Sequence, residues 1–352
     1  MPGAPVAVAM SGGVDSSVTA ALLVRRGLPV KGMFLHLGQP DADRQESRVA
    51  GIAVRLGIEL EVLELADRFE VEVLSPFVAA YLAGRTPNPC TICNRRIKFG
   101  ALLDRVRQLG CRFLATGHYA RRLALPDGGI GLGQGRDIAK DQSYFLALLD
   151  QEQLAEVRFP LGRLTKAAVR RLAWSLGLAG LHGPESQDVC FLAGGAVEDL
   201  LTARPGAGRL AGEVVDRMGR VLGRHPGIHH FTVGQRRGLG IPDASPYYVL
   251  AIDADRDRVV VGKEADLWQQ EVLVAPLSWV AGRPPALPLR CAARIRYRQR
   301  QAPATLYPVP GGLGGRLVFD QPQRAVTPGQ YAVLYLGDLV LGGGEIVPPA
   351  TG

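Results

Sequence analysis

Hydrophobic positions in the first half of the chain follow two alternating patterns. Short apolar runs at 6–10, 30–36, 59–65 and 111–116 read as strands, and apolar residues recurring every three or four positions over 16–26, 43–55, 70–81 and 97–109 predict helices. Two more helical stretches follow at 151–157 and 166–176. Strands and helices in alternation imply a doubly wound α/β fold, a parallel sheet covered on both faces. Ligands of such sheets sit beyond the carboxyl ends of the strands. The loops after Met10, His36 and Thr116 should therefore converge on one crevice.

After about residue 204 the pattern turns to β. The Gly-rich stretch "RPGAGRLAGEVVD" reads as a linker, and "YYVLAIDADRDRVVVG" as a hairpin turning at 253–257. Short strands in "CAARIRYRQR", "GRLVFDQP" and "QYAVLYLGDLVLGGGEIV", with Gly and Pro turns between them, predict a small barrel. Three domains are expected: a doubly wound domain over 1–204, a small central domain over 205–270 and a C-terminal β-barrel over 271–352.

The 352 residues carry a formal net charge of +8. That suits solubility, and it also suits a polyanionic partner. No apolar run approaches the roughly 18 residues of a membrane span. The N-terminus has no basic region before its short apolar stretch, so no signal peptide is expected. The chain is expected to be cytoplasmic with no membrane partner, and its five cysteines are then not a disulfide framework.

The first strand runs into "SGGVDSS", residues 11–17, and a helix follows. Glycines at 12 and 13 allow positive φ and close approach of an anion, and the helix directs its unsatisfied N–H groups at that anion. The plain alternative is a Gly-Ser turn capping a helix. Neither a Walker lysine nor a G-x-G-x-x-G pattern is present. The stretch resembles the PP-loop of the ATP pyrophosphatases. That resemblance implies cleavage of ATP between the α and β phosphates, with AMP attached to a carbonyl oxygen and Asp15 holding Mg²⁺. The motif alone does not name the acceptor.

Cys90 and Cys93 form a C-x-x-C just before a helix, with Arg95, Arg96 and Lys98 following. A helix N-terminus and positive charge both favour a thiolate. Half a zinc site and a redox pair are the rival readings; no second C-x-x-C completes the former. Cys190 stands in "ESQDVCF", while Cys111 and Cys291 lie in apolar strand patterns and read as core. In "RIRYRQR", Arg294, Arg296, Arg298 and Arg300 would share one face of a strand about 6.7 Å apart, suited to a run of phosphates. A solvated edge strand is the bland alternative.

Several segments together resemble the bacterial tRNA-specific 2-thiouridylases: "SGGVDSS", "GRTPNPCTICNRRIKFGALL", "ATGHYAR", "KDQSYFL", "SQDVCF", "GQRRGLGI", "RYRQ" and "TPGQYAVLYLGDLVLGGGEI". They fall in family order across nearly the whole chain. The resemblance implies ATP-dependent replacement of the C2 oxygen of the tRNA wobble uridine by sulfur, with a persulfide donor or relay protein as partner. It implies Cys93 and Cys190 as the catalytic pair, with the persulfide on Cys190. It places ATP against Ala9, Met10, Ser11, Gly12, Gly13, Val14, Asp15, Ser16, Leu35 and Gly117. It places the anticodon arm of tRNA against Asn88, Pro89, Cys90, His118, Lys140, Asp141, Gln142, Arg296, Tyr297 and Gln330. Many members of that family carry Asp where this chain has Cys90. Cys90, Cys93 and Cys190 also match the ligand set of related tRNA thiolases that hold a 4Fe–4S cluster. Persulfide and cluster routes both stay open at this level.

Overall fold

The computed structural model describes residues 3–181, 189–192, 197–202, 204 and 211–348. The chain begins β1 (Val6–Ala9), α1 (Val14–Arg25), β2 (Val30–His36), α2 (Ala42–Leu56) and β3 (Glu59–Glu64). A continuous helical run follows: α3 (Ala66–Phe69), a π-helical stretch over Glu70–Leu74 and α4 (Ser75–Leu82). A second run is α5 (Pro89–Cys93), a π-helical stretch over Asn94–Ala101 and α6 (Leu102–Gln108). Then come β4 (Leu114–Ala115), β5 (Ala120–Ala124), β6 (Ile130–Gln134), α7 (Gln151–Glu156), β7 (Val157–Arg158), α8 (Lys166–Ser175) and α9 (Val197–Thr202).

These strands build a five-stranded parallel sheet in the order β3-β2-β1-β4-β7. The chain winds outward from β1 in one direction and then in the other, so the topological switch lies between β1 and β4. Val6, Ala7 and Val8 in the central strand are wholly buried, as a strand covered on both faces requires. The alternation read from the sequence is therefore what the fold contains, and the second helix of the sequence reading is longer by a residue at each end. The fourth strand is shorter than its apolar pattern. Only Leu114 and Ala115 pair, and Cys111 lies before the strand, half-buried rather than in the core.

The central sheet, in the order β10-β11-β8-β9, is built from β8 (Gly212–Val215), β9 (Val221–His225), β10 (Tyr248–Asp253) and β11 (Arg258–Gly262). β10 and β11 form the expected antiparallel hairpin. The last six strands are β12 (Trp268–Trp279), β13 (Leu289–Arg294), β14 (Ala302–Pro308), β15 (Gly315–Arg324), β16 (Tyr331–Leu336) and β17 (Leu339–Val347). They run β12-β15-β14-β13-β16-β17, and β12 also pairs with β17, which closes the barrel. Cys291 is buried in β13, as expected.

Two features of this half depart from the sequence reading. First, the hairpin β5–β6 leaves the N-terminal half and joins the barrel sheet, with β6 paired to β17 through Leu132↔Val340 and Gly133↔Leu339. One apolar cluster accordingly holds Ala7 and Met33 of the parallel sheet together with Val333 and Tyr335 of the barrel. Second, β13 ends at Arg294, so the four arginines do not share a strand face. Gln299 closes a turn instead: its N–H donates to the Arg296 carbonyl (3.2 Å) and its Oε1 accepts from Ile295 N–H (3.1 Å). Arg296, Arg298 and Arg300 are exposed on that turn, whereas Arg294 is buried.

Arg294 meets Asp141, and the pair ties the two halves together. Asp141 is fully enclosed. Its carboxylate accepts from Arg294 Nη1 (2.9 Å), Gln134 Nε2 (3.1 Å), Gly135 N–H (2.9 Å), Ser143 N–H (3.1 Å) and Ser143 Oγ (3.0 Å). Removing one member of such a pair leaves the other charged and buried without compensation, at about 3–5 kcal/mol. An Asp141→Asn chain is thus expected to unfold at a clearly lower urea concentration, as followed by circular dichroism.

Candidate active site

The loop after β1 is the first part of the site. Its trace requires glycine at 12, where φ is +73°, and a Cβ there would sit 3.3 Å from Arg48 Cδ. Gly13 is extended instead and forms the N-cap of α1 without a side-chain cap, so the helix end is left open for a ligand. The serines stiffen the turn. Ser16 Oγ and Ser17 Oγ both donate to the Gly13 carbonyl (3.0 and 2.9 Å), and Ser16 Oγ accepts from Ser11 N–H (3.2 Å).

The loop after β4 arrives at the same place. A Cβ on Gly117 would stand 2.9 Å from the Asp15 carbonyl carbon and 3.0 Å from Ser16 N, so only glycine permits the approach. The loops after β1 and β4 thus converge at the switch point. Ala9 and Leu35 are half-buried at the ends of β1 and β2, and Met10 and Val14 are buried beneath the turn.

Asp15 has partners that the sequence did not indicate. Lys166 Nζ, at the start of α8, donates to both carboxylate oxygens (2.8 and 2.7 Å), and Tyr119 Oη donates to Oδ1 (2.8 Å). Lys166 is buried although it is a lysine. The available signal was its position: Thr165 caps α8, and α8 follows β7, a strand of the parallel sheet, so its first residues lie at the carboxyl edge.

The cysteines form the second part. Cys90 and Cys93 lie on α5, with Pro89 before them. Cys93 is buried among Phe69, Val73 and Ile97, and Leu35, Leu37 and Phe191 pack against the same cluster. Phe191 also makes edge contacts with Phe69 (centroids 5.7 Å apart) and Phe77 (5.3 Å), which anchors the residue next to Cys190. Cys190 itself is exposed. Ser186, Gln187 and Asp188 of the same motif lie outside the described residues.

The expected lowering of the thiol pKa values by the helix end is not what the structure shows. Burial pushes Cys90 up and Cys93 up to about 12, against a smaller opposing pull from Lys98. In this arrangement Cys93 is a thiol. Iodoacetamide at neutral pH is expected to label Cys190 first and Cys93 slowly, with the Cys93 rate climbing as the pH is raised; peptide mass spectrometry reads both. Among the described residues, no three His, Cys, Asp or Glu side chains stand close enough together to hold a metal ion.

The residues assigned to RNA by resemblance divide into two groups. Arg296 is exposed, and Tyr297 is half-buried with its ring 4.2 Å from that of Phe145. Asn88 and Lys140 are half-buried. Asp141, by contrast, is inaccessible, so any effect on RNA passes through the loop it holds. Gln142 Oε1 accepts from Tyr119 N–H (3.0 Å), and Gln330 Nε2 donates to the Thr86 carbonyl (2.8 Å). His118 Nδ1 bonds Thr116 Oγ1 (2.8 Å) beside the rings of Phe99 and Phe159. Burial holds His118 down to a pKa of about 3, so it is neutral at physiological pH.

Comparison with known proteins gives consistent results. Residues 4–194 match the family described as a tRNA methyl transferase HUP domain, residues 203–263 the corresponding PRC-barrel domain, and residues 269–346 an aminomethyltransferase β-barrel domain. A tRNA-specific 2-thiouridylase MnmA of Desulforudis audaxviator is 45% identical over 97% of this chain and 98% of its own. The protein of that name from Moorella thermoacetica is 46% identical over 96% and 98%. A solved 4-thiouridine synthetase–RNA complex with bound ATP is 15% identical, covers 53% of this chain and 44% of that one, and has a TM-score of 0.35, too slight a likeness to add to the fold. With such identity sustained from end to end, and all three domain families matched in order, the chain belongs to the tRNA-specific 2-thiouridylase family.

Proposed function

We propose that this chain is an ATP-dependent tRNA sulfurtransferase that converts the wobble uridine to 2-thiouridine. One observation carries the reading: Cys93, the Phe191 that follows Cys190, and Leu35 at the end of β2 pack into one cluster. The contact with Leu35 supports setting Cys93 near the same carboxyl edge of the sheet as the anion loop. The methyl-transfer wording of the family descriptions does not extend to the full-length relatives, whose name specifies thiolation.

The chemistry divides into two halves. A uracil carbonyl oxygen does not leave unaided. In the first half O2 of uridine attacks the α-phosphorus of ATP, and pyrophosphate departs. The open end of α1 and the 11–16 backbone receive the phosphates. Mg²⁺ would neutralise phosphate charge, and Asp15 is the carboxylate placed to hold it. Modifying the base requires it to leave its stack, and Asn88 and Pro89, which lead into Cys90 at the start of α5, would border the flipped base.

In the second half the terminal sulfur of a Cys190 persulfide attacks C2 and AMP leaves. Cys93, once deprotonated, attacks Cys190 Sγ; the bond between Cys190 and the transferred sulfur breaks, and 2-thiouridine is released. A Cys93–Cys190 disulfide remains, and an external dithiol reduces it before the next turnover. The persulfide itself comes from a sulfur-donor protein. As placed, the three cysteines do not converge into a ligand set, which favours the persulfide route over a 4Fe–4S cluster. The exposed arginines at 236, 237, 296, 298 and 300 supply positive charge for the RNA backbone.

The decisive assay gives anaerobically purified chain ATP, unmodified tRNA and a persulfide donor, and measures pyrophosphate, 2-thiouridine and iron on one sample. Thiolation by an iron-free sample supports the persulfide route. Thiolation that requires about four irons per chain overturns it in favour of a cluster.

A further inference from the structure

The segment that leads into α5 is gripped by the barrel four residues before the first cysteine. Thr86 N–H donates to the Pro328 carbonyl (2.9 Å), and its carbonyl accepts from Gln330 Nε2 (2.8 Å). Gly329, at φ +92°, lies so close that a Cβ there would stand 2.9 Å from the Thr86 backbone nitrogen. Beside it, Arg85 pairs with Glu345 of β17 (2.5 Å). The grip is rigid on the barrel side. The Gly329 N–H donates to the Ile346 carbonyl (2.9 Å), and Ile346 N–H donates to the Gln330 carbonyl (2.7 Å). Tyr144 bonds the same part of the barrel, its hydroxyl donating to the Tyr331 carbonyl (2.9 Å).

A barrel serving only to bind RNA has no need to spend a side-chain amide, a glycine and an ion pair on this peptide. We propose that Gln330, Gly329 and Glu345 are positioning residues for sulfur transfer: they fix the 84–89 loop and so set where α5 presents Cys90 and Cys93. The inference rests on the thiolation reading above. It is distinct from an RNA contact by Gln330 and compatible with one, since Thr86 takes only one of the two amide hydrogens. Adenylation uses the loop after β1 and no thiol, so loosening the grip should act on the second half of the reaction. An adenylated uridine that meets no correctly placed thiol is lost to water, which restores uridine and releases AMP.

The test is the number of 2-thiouridines formed per pyrophosphate released, measured in Gln330→Glu and Glu345→Gln chains with a persulfide donor and saturating tRNA. Gln330→Glu keeps the shape and removes the donor; Glu345→Gln keeps the shape and removes the charge. Misplacing reacting groups by a fraction of an ångström or more is costly, and the ratio is expected to fall about tenfold in the first chain and less in the second. Iodoacetamide labelling of Cys93 should quicken in both, which a purely RNA-binding role would not produce. An unchanged ratio, with both products falling together and the tRNA KM raised, would make Gln330 a plain RNA contact and overturn the proposal. An unaltered chain that forms neither product would instead overturn the thiolation reading itself, and this inference with it.

Discussion

A Cys190→Ser chain is expected to form no measurable 2-thiouridine, while its tRNA-dependent pyrophosphate release continues. The expectation follows from the separation of the two reaction halves. Cys190 is exposed to solvent, where a donor protein can reach it, and its neighbour Phe191 is locked between Phe69 and Phe77 near Cys93. Serine preserves that packing and removes the sulfur. Radiolabelled pyrophosphate and nucleoside mass spectrometry separate the halves in one experiment. Loss of both products together would place Cys190 in adenylation or in RNA binding. The companion Cys90→Ser chain divides the routes: a persulfide mechanism tolerates it, and a three-thiolate cluster does not.

The structure also gives Cys93 a requirement of its own. With its pKa raised to about 12, it is protonated at any physiological pH and cannot attack Cys190 Sγ as it stands. Lys98 already pulls in the opposite direction. Burial is the dominant cause of the shift, so the disulfide-forming attack proposed above requires Cys93 to lose part of its apolar cover.

The parallel sheet was legible because its strands are covered on both faces and so appear as unbroken apolar runs, Val6–Ala9 above all. The anion loop was legible because the backbone there needs glycine at 12, and glycine is visible in a sequence. The π-helical stretch over Asn94–Ala101 was not, since i→i+5 bonding is a rare local variant within a helix and no residue type announces it. Strand β6 was missed for a different reason: "IGLGQ" is glycine-rich, and although β5 pairs with it locally, the strand that draws the hairpin into the barrel sheet, β17, lies about two hundred residues downstream. The arginine alternation misled because a period of two says nothing about where pairing stops; Gln299 turns the chain one residue after β13 ends. The enclosure of Asp141, assigned to RNA by resemblance, was not legible because only the fold brings Arg294 to it.

Lys166→Ala is expected to slow tRNA-dependent pyrophosphate release by about a hundredfold or more, with little change in the tRNA KM. Lysine is seldom fully buried without a partner, and here the partner is Asp15, the carboxylate at the open end of α1. Without ATP the two charges balance. With ATP bound, Asp15 would be the carboxylate to hold Mg²⁺, and the Lys166 ammonium would then face the charge that accumulates as the α–β bond breaks. A fixed positive group there stabilises the transition state more than the bound nucleotide, so the loss should appear in kcat. Lys166→Arg should recover part of the rate, because the charge returns on a larger, planar head that cannot occupy the same point. The thermal midpoint separates this from simple damage. Asp15 keeps its bond from Tyr119 and is partly exposed, so Lys166→Ala should fold. A fall in stability that accounts for the lost rate, or a rate within a few-fold of the unaltered chain, would confine Lys166 to holding α8 against the loop.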